Sequence, residues 1–154
     1  MYTPHTVTLY NVVTETDPAT SNDVVVNHIT ILRGVFLDAS KGTNVIRSGL
    51  ESADAATLYV PFSVEAVDGI TGEPKSYIGP MEFWRTEDKG GLWTLSTDRN
   101  SFIIKGEVVE DDEDPRKRTI EYISLHNDDV YTITSVDSKD FGSPSMRHWE
   151  CGCK

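Results

Sequence analysis

The chain has 154 residues, 38% of them hydrophobic and 25% charged, and its 14 basic and 25 acidic side chains give a net charge of −11. These values fit one globular domain with its own core and exclude global disorder. DNA phosphates would repel so acidic a surface, and no apolar run is long enough to span a bilayer. The N-terminus shows no secretory signal, so we expect a reducing cytosol that keeps the two cysteines as thiols.

Period-two alternation of apolar and polar residues dominates the chain and predicts strands. Gly34 lies inside the second predicted strand, where a bulge or bend is expected. Pro61 lacks an N–H, so the third strand is expected to lie at a sheet edge near that residue. In chain order the predicted strands are 6–10, 24–38, 56–66, 92–96, 101–109 and 129–137, and 147–151 could add a seventh.

Helical signals are few. Residues 80–88 follow a Gly-Pro pair and predict one or two turns, with Met81 and Trp84 facing inward. A second short helix is predicted near 115–126, where Asp114 can cap the N-terminus and Ile120 and Ile123 share a face.

The remaining segments predict long loops over 14–23, 39–55 and 110–118, and a C-terminal extension over 138–154. Strands separated by turns, with little helix, favour an all-β fold. We therefore predict a single domain over residues 1–154, a small β-barrel or sandwich of about six to seven strands with one short helix and long loops.

The C-terminal stretch holds three residue types that bind transition metals: His148, Cys151 and Cys153. A structural zinc site needs four ligands, usually in two separated pairs, and this stretch supplies at most three. In a strand the two cysteines share one face and the histidine lies on the other. A Cys-x-Cys disulfide is sterically tight as well, so we predict neither a metal site nor a redox pair.

Other candidate sites have simpler interpretations. The acidic run 110–114 lacks the alternating ligands of a calcium loop, so we interpret it as a solvated loop. Asp128 and Asp129 near His126 fit a turn at a helix-to-strand junction better than acid–base chemistry. Ser143 and Ser145 lie in a loop with no base identified beside them.

The aromatic residues Trp84, Trp93 and Trp149 could form a sugar-binding platform, although scattered aromatics in a β protein more often form core or interface. Together these residues give no catalytic constellation. We predict no enzyme activity, no catalytic residue, no cofactor and no bound metal.

Three stretches of the sequence resemble a known family: 32–64, 102–108 and 128–150, together with the ending "MRHWECGCK". The family consists of small structural proteins from the head–tail gene region of tailed phages and prophages of Gram-positive bacteria, described as minor capsid or head–tail connector proteins. The general pattern also resembles the β-barrel head-closure proteins, or stoppers, of long-tailed phages.

The resemblance implies a homo-oligomeric ring of six or twelve copies in the virion neck, assembled in the bacterial cytoplasm. Such a ring would join the portal or adaptor to the tail-completion proteins, and DNA would pass through without specific binding. An acidic bore would repel phosphate and prevent adhesion. The loop 39–55 is the candidate for a segment that projects into the channel, although a plain surface loop explains it equally well.

A ring needs head-to-tail contacts on two different faces of each subunit. Strand edges and the aromatics Phe36, Tyr59, Phe141 and Trp149 are candidates for these contacts. Two alternatives remain open: another virion role, as a tail-completion, terminator or capsid decoration protein, and a soluble β module that binds a carbohydrate or other ligand through a concave aromatic patch.

Overall fold

A computed structural model describes residues 2–39, 56–97, 101–110 and 112–154. The strands are β1 His5–Thr16, β2 Asp23–Ala39, β3 Ala56–Pro61, β4 Glu65–Asp68, β5 Ser76–Tyr77, β6 Leu92–Trp93, β7 Ser101–Lys105, β8 Val130–Lys139 and β9 His148–Cys153. The helices are α1 Pro80–Arg85 and α2 Ile120–His126, with 3-10 turns over Pro115–Arg118 and Pro144–Met146.

Six strands close into an antiparallel barrel. Around the barrel the order is β1, β7, β8, β9, β3 and β2, and β2 pairs again with β1. β4 is an extra strand that pairs with β2, and β5 and β6 form a separate two-stranded parallel sheet. The predicted all-β class and small barrel are thereby confirmed.

The 17-residue strand β2 bends because of one glycine. His5 pairs with Val35 and Thr6 pairs with Arg33, which leaves Gly34 as the unpaired residue of a β-bulge. Its φ of +88° lies in the left-handed region that favours glycine. Before the bulge β2 pairs with β4, and after it β2 pairs with β3. The bulge predicted at Gly34 is confirmed.

Two apolar clusters hold the barrel together. The interior cluster draws alternate residues from every barrel strand, as the pleat requires: it includes Val7, Leu9, Leu32, Leu37, Leu58, Val60, Ile103, Ile133, Trp149, Cys151 and Cys153. The exterior cluster lies under α2, where Ile123 packs against the outer side chains of β1 and β7. Within it the rings of Tyr10 and Phe102 stack with centroids 4.7 Å apart.

The predicted third strand, 56–66, is in fact two strands separated by a turn after Pro61. β3 is not a sheet-edge strand, because it pairs with β2 on one side and β9 on the other. Proline is tolerated there because it is the last residue of β3, beyond the end of the pairing with β2 at Tyr59. The predicted strand 92–96 is also shorter, at Leu92–Trp93.

Two predicted loops are shorter than expected. The connection 14–23 becomes a tight link because β1 and β2 stay paired as far as Thr16 and Asp23. In 110–118, Asp114 caps a 3-10 turn by accepting from the backbone N–H of Arg116 at 3.0 Å. The predicted loop 39–55 lies, apart from Ala39, outside the described residues, and Ala39 pairs with Ala56 where the chain returns to the barrel.

The helices occur where they were predicted, but the buried face of the first was predicted wrongly. In α1 the buried side chain is Phe83, whereas Met81 is 67% exposed. A six-residue helix fixes one side chain in the core, and Phe83, between Met81 and Trp84, takes that place. The second predicted helix, 115–126, is interrupted at Thr119, whose side chain caps α2 by accepting from the N–H of Tyr122.

The predicted C-terminal extension is wrong for its last strand. β9 lies between β8 and β3 and is an integral wall of the barrel. Trp149, expected among the exposed contact residues, is 7% exposed and packs inside. The physical reason is the alternation itself, since Trp149, Cys151 and Cys153 share the inward face of the strand.

Candidate functional site

A row of outward side chains crosses four neighbouring barrel strands. Phe36 of β2 pairs with Tyr59 of β3, Tyr59 pairs with Glu150 of β9, and Glu150 pairs with Asp137 of β8. Paired residues point to the same face of a sheet, and here that face is the outer wall because their neighbours along each strand fill the barrel. The row therefore places two aromatic rings beside two carboxylates.

Aromatic rings continue this row in both directions. The ring centroids of Tyr2 and Phe36 are 5.8 Å apart, those of Phe36 and Tyr59 are 5.7 Å apart, and those of Tyr59 and His148 are 6.0 Å apart. His5 stacks on Phe36 with centroids 5.6 Å apart and accepts a hydrogen bond at Nδ1 from the backbone N–H of Leu37. We call these five residues, Tyr2, His5, Phe36, Tyr59 and His148, the aromatic patch.

Hydrogen bonds fix the end of the patch at His148. Its Nδ1 lies 2.8 Å from the carbonyl oxygen of Met146, and its Nε2 lies 3.1 Å from Oε1 of Glu150. Both partners are hydrogen-bond acceptors, and together they fix the orientation of the imidazole ring. The imidazole and the Glu150 carboxylate thus hold each other in place on the barrel wall.

The patch encloses a shallow pocket of about 300 Å³, lined by Tyr2, Phe36, Tyr59, His148 and Glu150. Tyr2 is 75% exposed and forms the outer rim, whereas Phe36 and Tyr59 are half-buried and form the floor. An apolar, aromatic concavity with one carboxylate at its side is typical of surfaces that bind a ligand or another protein. This aromatic pocket is the candidate functional site.

A larger groove of about 610 Å³ lies on the other side of the barrel, beside the start of α2. Its apolar lining comes from Val12, Val25, Phe102 and Ile120, and its polar lining is mainly threonine, with Glu121 and Lys154. Nearby, Leu125 of α2 is 83% exposed. The groove lacks a concentrated charge or ring cluster, so it is the weaker candidate for a ligand site.

The two cysteines lie in the barrel interior as free thiols, both fully buried. Burial raises the pKa of the Cys151 thiol, and the neighbouring Cys153 adds to the effect. His148 lies on the opposite face of β9, as predicted, so the structure does not bring the three residues together. Over the described parts of the chain, no group of three or more His, Cys, Asp or Glu side chains is arranged to hold a metal ion.

The acidic run is paired with the basic residues that follow it. Arg116 Nη2 lies 2.9 Å from Asp114 Oδ2, and Lys117 Nζ lies 3.3 Å from Asp112 Oδ2. The hydrogen bonds from the Arg116 side chain and backbone lower the pKa of Asp114 to about 2. All four groups sit at the surface, so the segment is an ion-paired surface loop.

The other predicted candidates do not converge. His126 stacks on Tyr122 and faces its carbonyl oxygen at 2.8 Å. Ser143 and Ser145 contact each other at 3.3 Å on the surface. Trp93 and Trp149 join Tyr77 and Phe62 in a buried aromatic cluster, for example with Tyr77 and Trp149 centroids 4.3 Å apart. The core interpretation is confirmed for these two tryptophans.

Lys75 is a buried lysine that the sequence analysis does not predict. Lys75 Nζ donates to the carbonyl oxygen of Ile29 and to Oγ1 of Thr30, each at 3.1 Å, and lies 3.4 Å from Oδ2 of Asp68. Burial lowers the pKa of Lys75, and the Asp68 carboxylate opposes that shift. This lysine ties the segment after β4 to β2, which is a structural role; no local sequence signal identifies it.

The fold and the pocket define a class: a small closed antiparallel β-barrel with an aromatic pocket on its outer wall. No helix among the described residues is long and apolar enough to cross a membrane. The chain belongs to the family described as "Family of unknown function (DUF6751)", whose sequence profile matches residues 2–154. No curated protein and no solved structure matches the chain.

Proposed function

We propose that the chain is a structural subunit of the neck of a tailed phage, where a homo-oligomeric ring of six or twelve copies joins portal or adaptor to tail and closes the head. The observation that carries the proposal is the aromatic patch on a closed barrel. Rings such as Tyr2 and Phe36 left at a surface cost free energy unless a partner covers them. The sequence resemblance to head–tail connector proteins supplies the identity of the particle.

The strand order supports head-to-tail assembly. Tyr59 and His148 of the aromatic patch lie on β3 and β9, whereas α2 with its exposed Leu125 packs mainly against β1 and β7. In the six-stranded ring β9 lies opposite β1, and β3 lies opposite β7. A cyclic oligomer needs two different faces that meet, and the two walls supply one face each.

The net charge of −11 is compatible with a channel for DNA. Repeated around an axis, the charge gives a negative field that repels phosphate, so duplex can slide without binding. The partners in this proposal are neighbouring copies, the portal or adaptor and the tail-completion proteins. The subunit performs no bond-making step.

Oligomeric state tests the ring directly. Light scattering after size exclusion should show a defined oligomer, and Phe36→Ser with Tyr59→Ser should give a folded monomer. Met81→Ser is the matched control, because Met81 is 67% exposed, does not line the pocket and is not a candidate ring contact. A monomer at every concentration for the parent chain contradicts the ring.

Location in the particle tests the neck. Electron cryomicroscopy of the virion should show density for this chain on the portal–tail axis. Density in hundreds of icosahedral copies would instead identify a capsid decoration protein, and density at the tail end of the neck a terminator or tail-completion protein.

The concave shape of the aromatic pocket favours a second candidate function, a soluble β module that binds a small ligand. If the chain is such a module, we expect a stable monomer with the aromatic pocket open to solvent. Binding of a glycan by the monomer, lost in Tyr59→Ser and kept in Phe141→Ser, would support it over the ring.

A further inference from the structure

We propose that the aromatic pocket binds the guanidinium group of an arginine side chain presented by a partner protein. Such a pocket could serve a ring subunit as well as a ligand-binding module, so arginine binding goes beyond both candidate functions. Three features of the pocket carry it: the ring spacing, the carboxylates and a lining without lysine or arginine from the described ranges.

The ring spacing fits a cation. A cation is attracted to an aromatic face within about 6 Å of the ring centroid. Phe36 lies between Tyr2 and Tyr59 with centroid separations of 5.8 Å and 5.7 Å, and the planes are tilted by 51° and 37°. A flat cation over Phe36 can therefore lie within range of a second ring at the same time.

The carboxylates supply hydrogen-bond acceptors at the edge of the rings. Glu150 lines the pocket, and Asp137 is its cross-strand partner on the same outer wall. Oε1 of Glu150 faces His148, and its Oε2 has no hydrogen-bond partner among the residues that the structure describes. A guanidinium can stack on a ring and donate to a carboxylate in one plane, which the compact ammonium of lysine does less well.

The charged residues around the pocket are the third feature. The pocket lining contains no lysine or arginine from the described ranges. The cation–π contact of Lys89 with the Phe83 ring lies outside the pocket. Lys139 is the cross-strand partner of His148, and Arg147 lies 3.5 Å from Asp140, but neither lines the pocket. The net charge of −11 further favours a basic partner.

A nuclear magnetic resonance titration of the isotope-labelled full chain tests the proposal. The probe is N-acetyl-arginine amide, and the comparison is N-acetyl-citrulline amide, which has the same shape without the charge. Saturable shifts at the amides of Phe36, Tyr59 and Glu150 are expected with the arginine probe, and none with citrulline. Equal binding of both probes, or binding of neither, overturns the proposal.

Two variants measure separately what the rings and the carboxylate contribute to arginine binding. Tyr59→Leu should weaken arginine binding about fivefold, the fold-change that corresponds to roughly 1 kcal/mol for one cation–π contact. Glu150→Gln should weaken it about tenfold because a charge-assisted hydrogen bond is lost. Glu73→Gln, an exposed carboxylate outside the pocket, should leave it unchanged.

Alternative ligands give distinct results. Stronger binding of choline than of the arginine probe would identify a free quaternary ammonium ligand and overturn the partner arginine. Binding of a proline-rich peptide without any arginine binding would show an apolar groove and overturn the cation altogether. The oligomeric state, measured on the same samples, reports on the ring separately, so either proposal can fail without the other.

Discussion

Replacing Trp149 with alanine should destabilise the fold rather than only its assembly. Trp149 is 7% exposed, and its ring lies 4.4 Å from Phe62, 4.3 Å from Tyr77 and 5.8 Å from Trp93, measured between centroids. Truncating a buried Trp costs about 3–5 kcal/mol, and each aromatic pair adds about 0.5–1.5 kcal/mol to the packing. We expect a loss of about 4–5 kcal/mol, a large part of a typical domain stability.

Urea unfolding followed by tryptophan fluorescence measures this loss, with circular dichroism as a second probe. Phe141→Ala is the control, and it should change the free energy of unfolding by less than about 0.5 kcal/mol because its ring is 70% exposed. A Trp149→Ala variant as stable as the parent, but unable to assemble, would refute the placement of β9 in the barrel and restore Trp149 as the contact residue predicted from the sequence.

Three further predictions concern the interior and the backbone. The thiols of Cys151 and Cys153 should not react with Ellman's reagent in the native protein and should react in urea, because both are buried and burial raises the pKa of Cys151. Burial lowers the pKa of His28; Lys75 adds to this shift, and Glu15 opposes it. The stabilising contribution of the neutral imidazole is therefore complete above the unfolded pKa of about 6.5. It is lost as the pH falls through the lowered pKa of the folded state. Urea midpoints should fall from pH 6.5 to pH 5, and His28→Gln should flatten this slope. Gly34→Ala should cost about 1–2 kcal/mol in unfolding free energy because its φ is +88°. Gly91→Ala should cost less, because Gly91 has no positive φ and an added Cβ would meet no atom within 4 Å.

Alternation predicted most of the barrel because the interior and exterior of a barrel wall alternate along every strand. The segment 24–38 was predicted almost to the residue of Asp23–Ala39, including the bulge at Gly34. Which strands pair depends on residues far apart in the chain, so the alternation within one strand cannot specify the pairing. Pro61 illustrates the difference: its missing N–H indicates an unpaired position, yet β3 as a whole pairs on both sides.

The aromatic pocket could be predicted only in part. Phe36 and Tyr59 were recognised as candidate contacts, but their contact with each other depends on the register of β2 against β3. Glu150 and Tyr2 come from the two ends of the chain, and only barrel closure brings them to one concavity. The expectation that Trp149 lies at the surface is wrong because the alternation of side chains along β9, not the residue type, decides which side of the wall a ring occupies.

Barrel closure limits how this protein can associate with others. A sheet edge offers a row of unpaired backbone groups to a neighbour, and a closed barrel removes that option for most of its strands. The sequence-based expectation that edge strands supply the contacts is therefore restricted to strand ends and short elements such as β4, which pairs with β2 alone among the barrel strands. Association must then depend on side chains, and the aromatic patch is where the described outer wall concentrates rings and carboxylates. A neighbouring subunit or a partner arginine would cover the exposed ring of Tyr2 and the half-buried rings of Phe36 and Tyr59, which the barrel leaves at its surface.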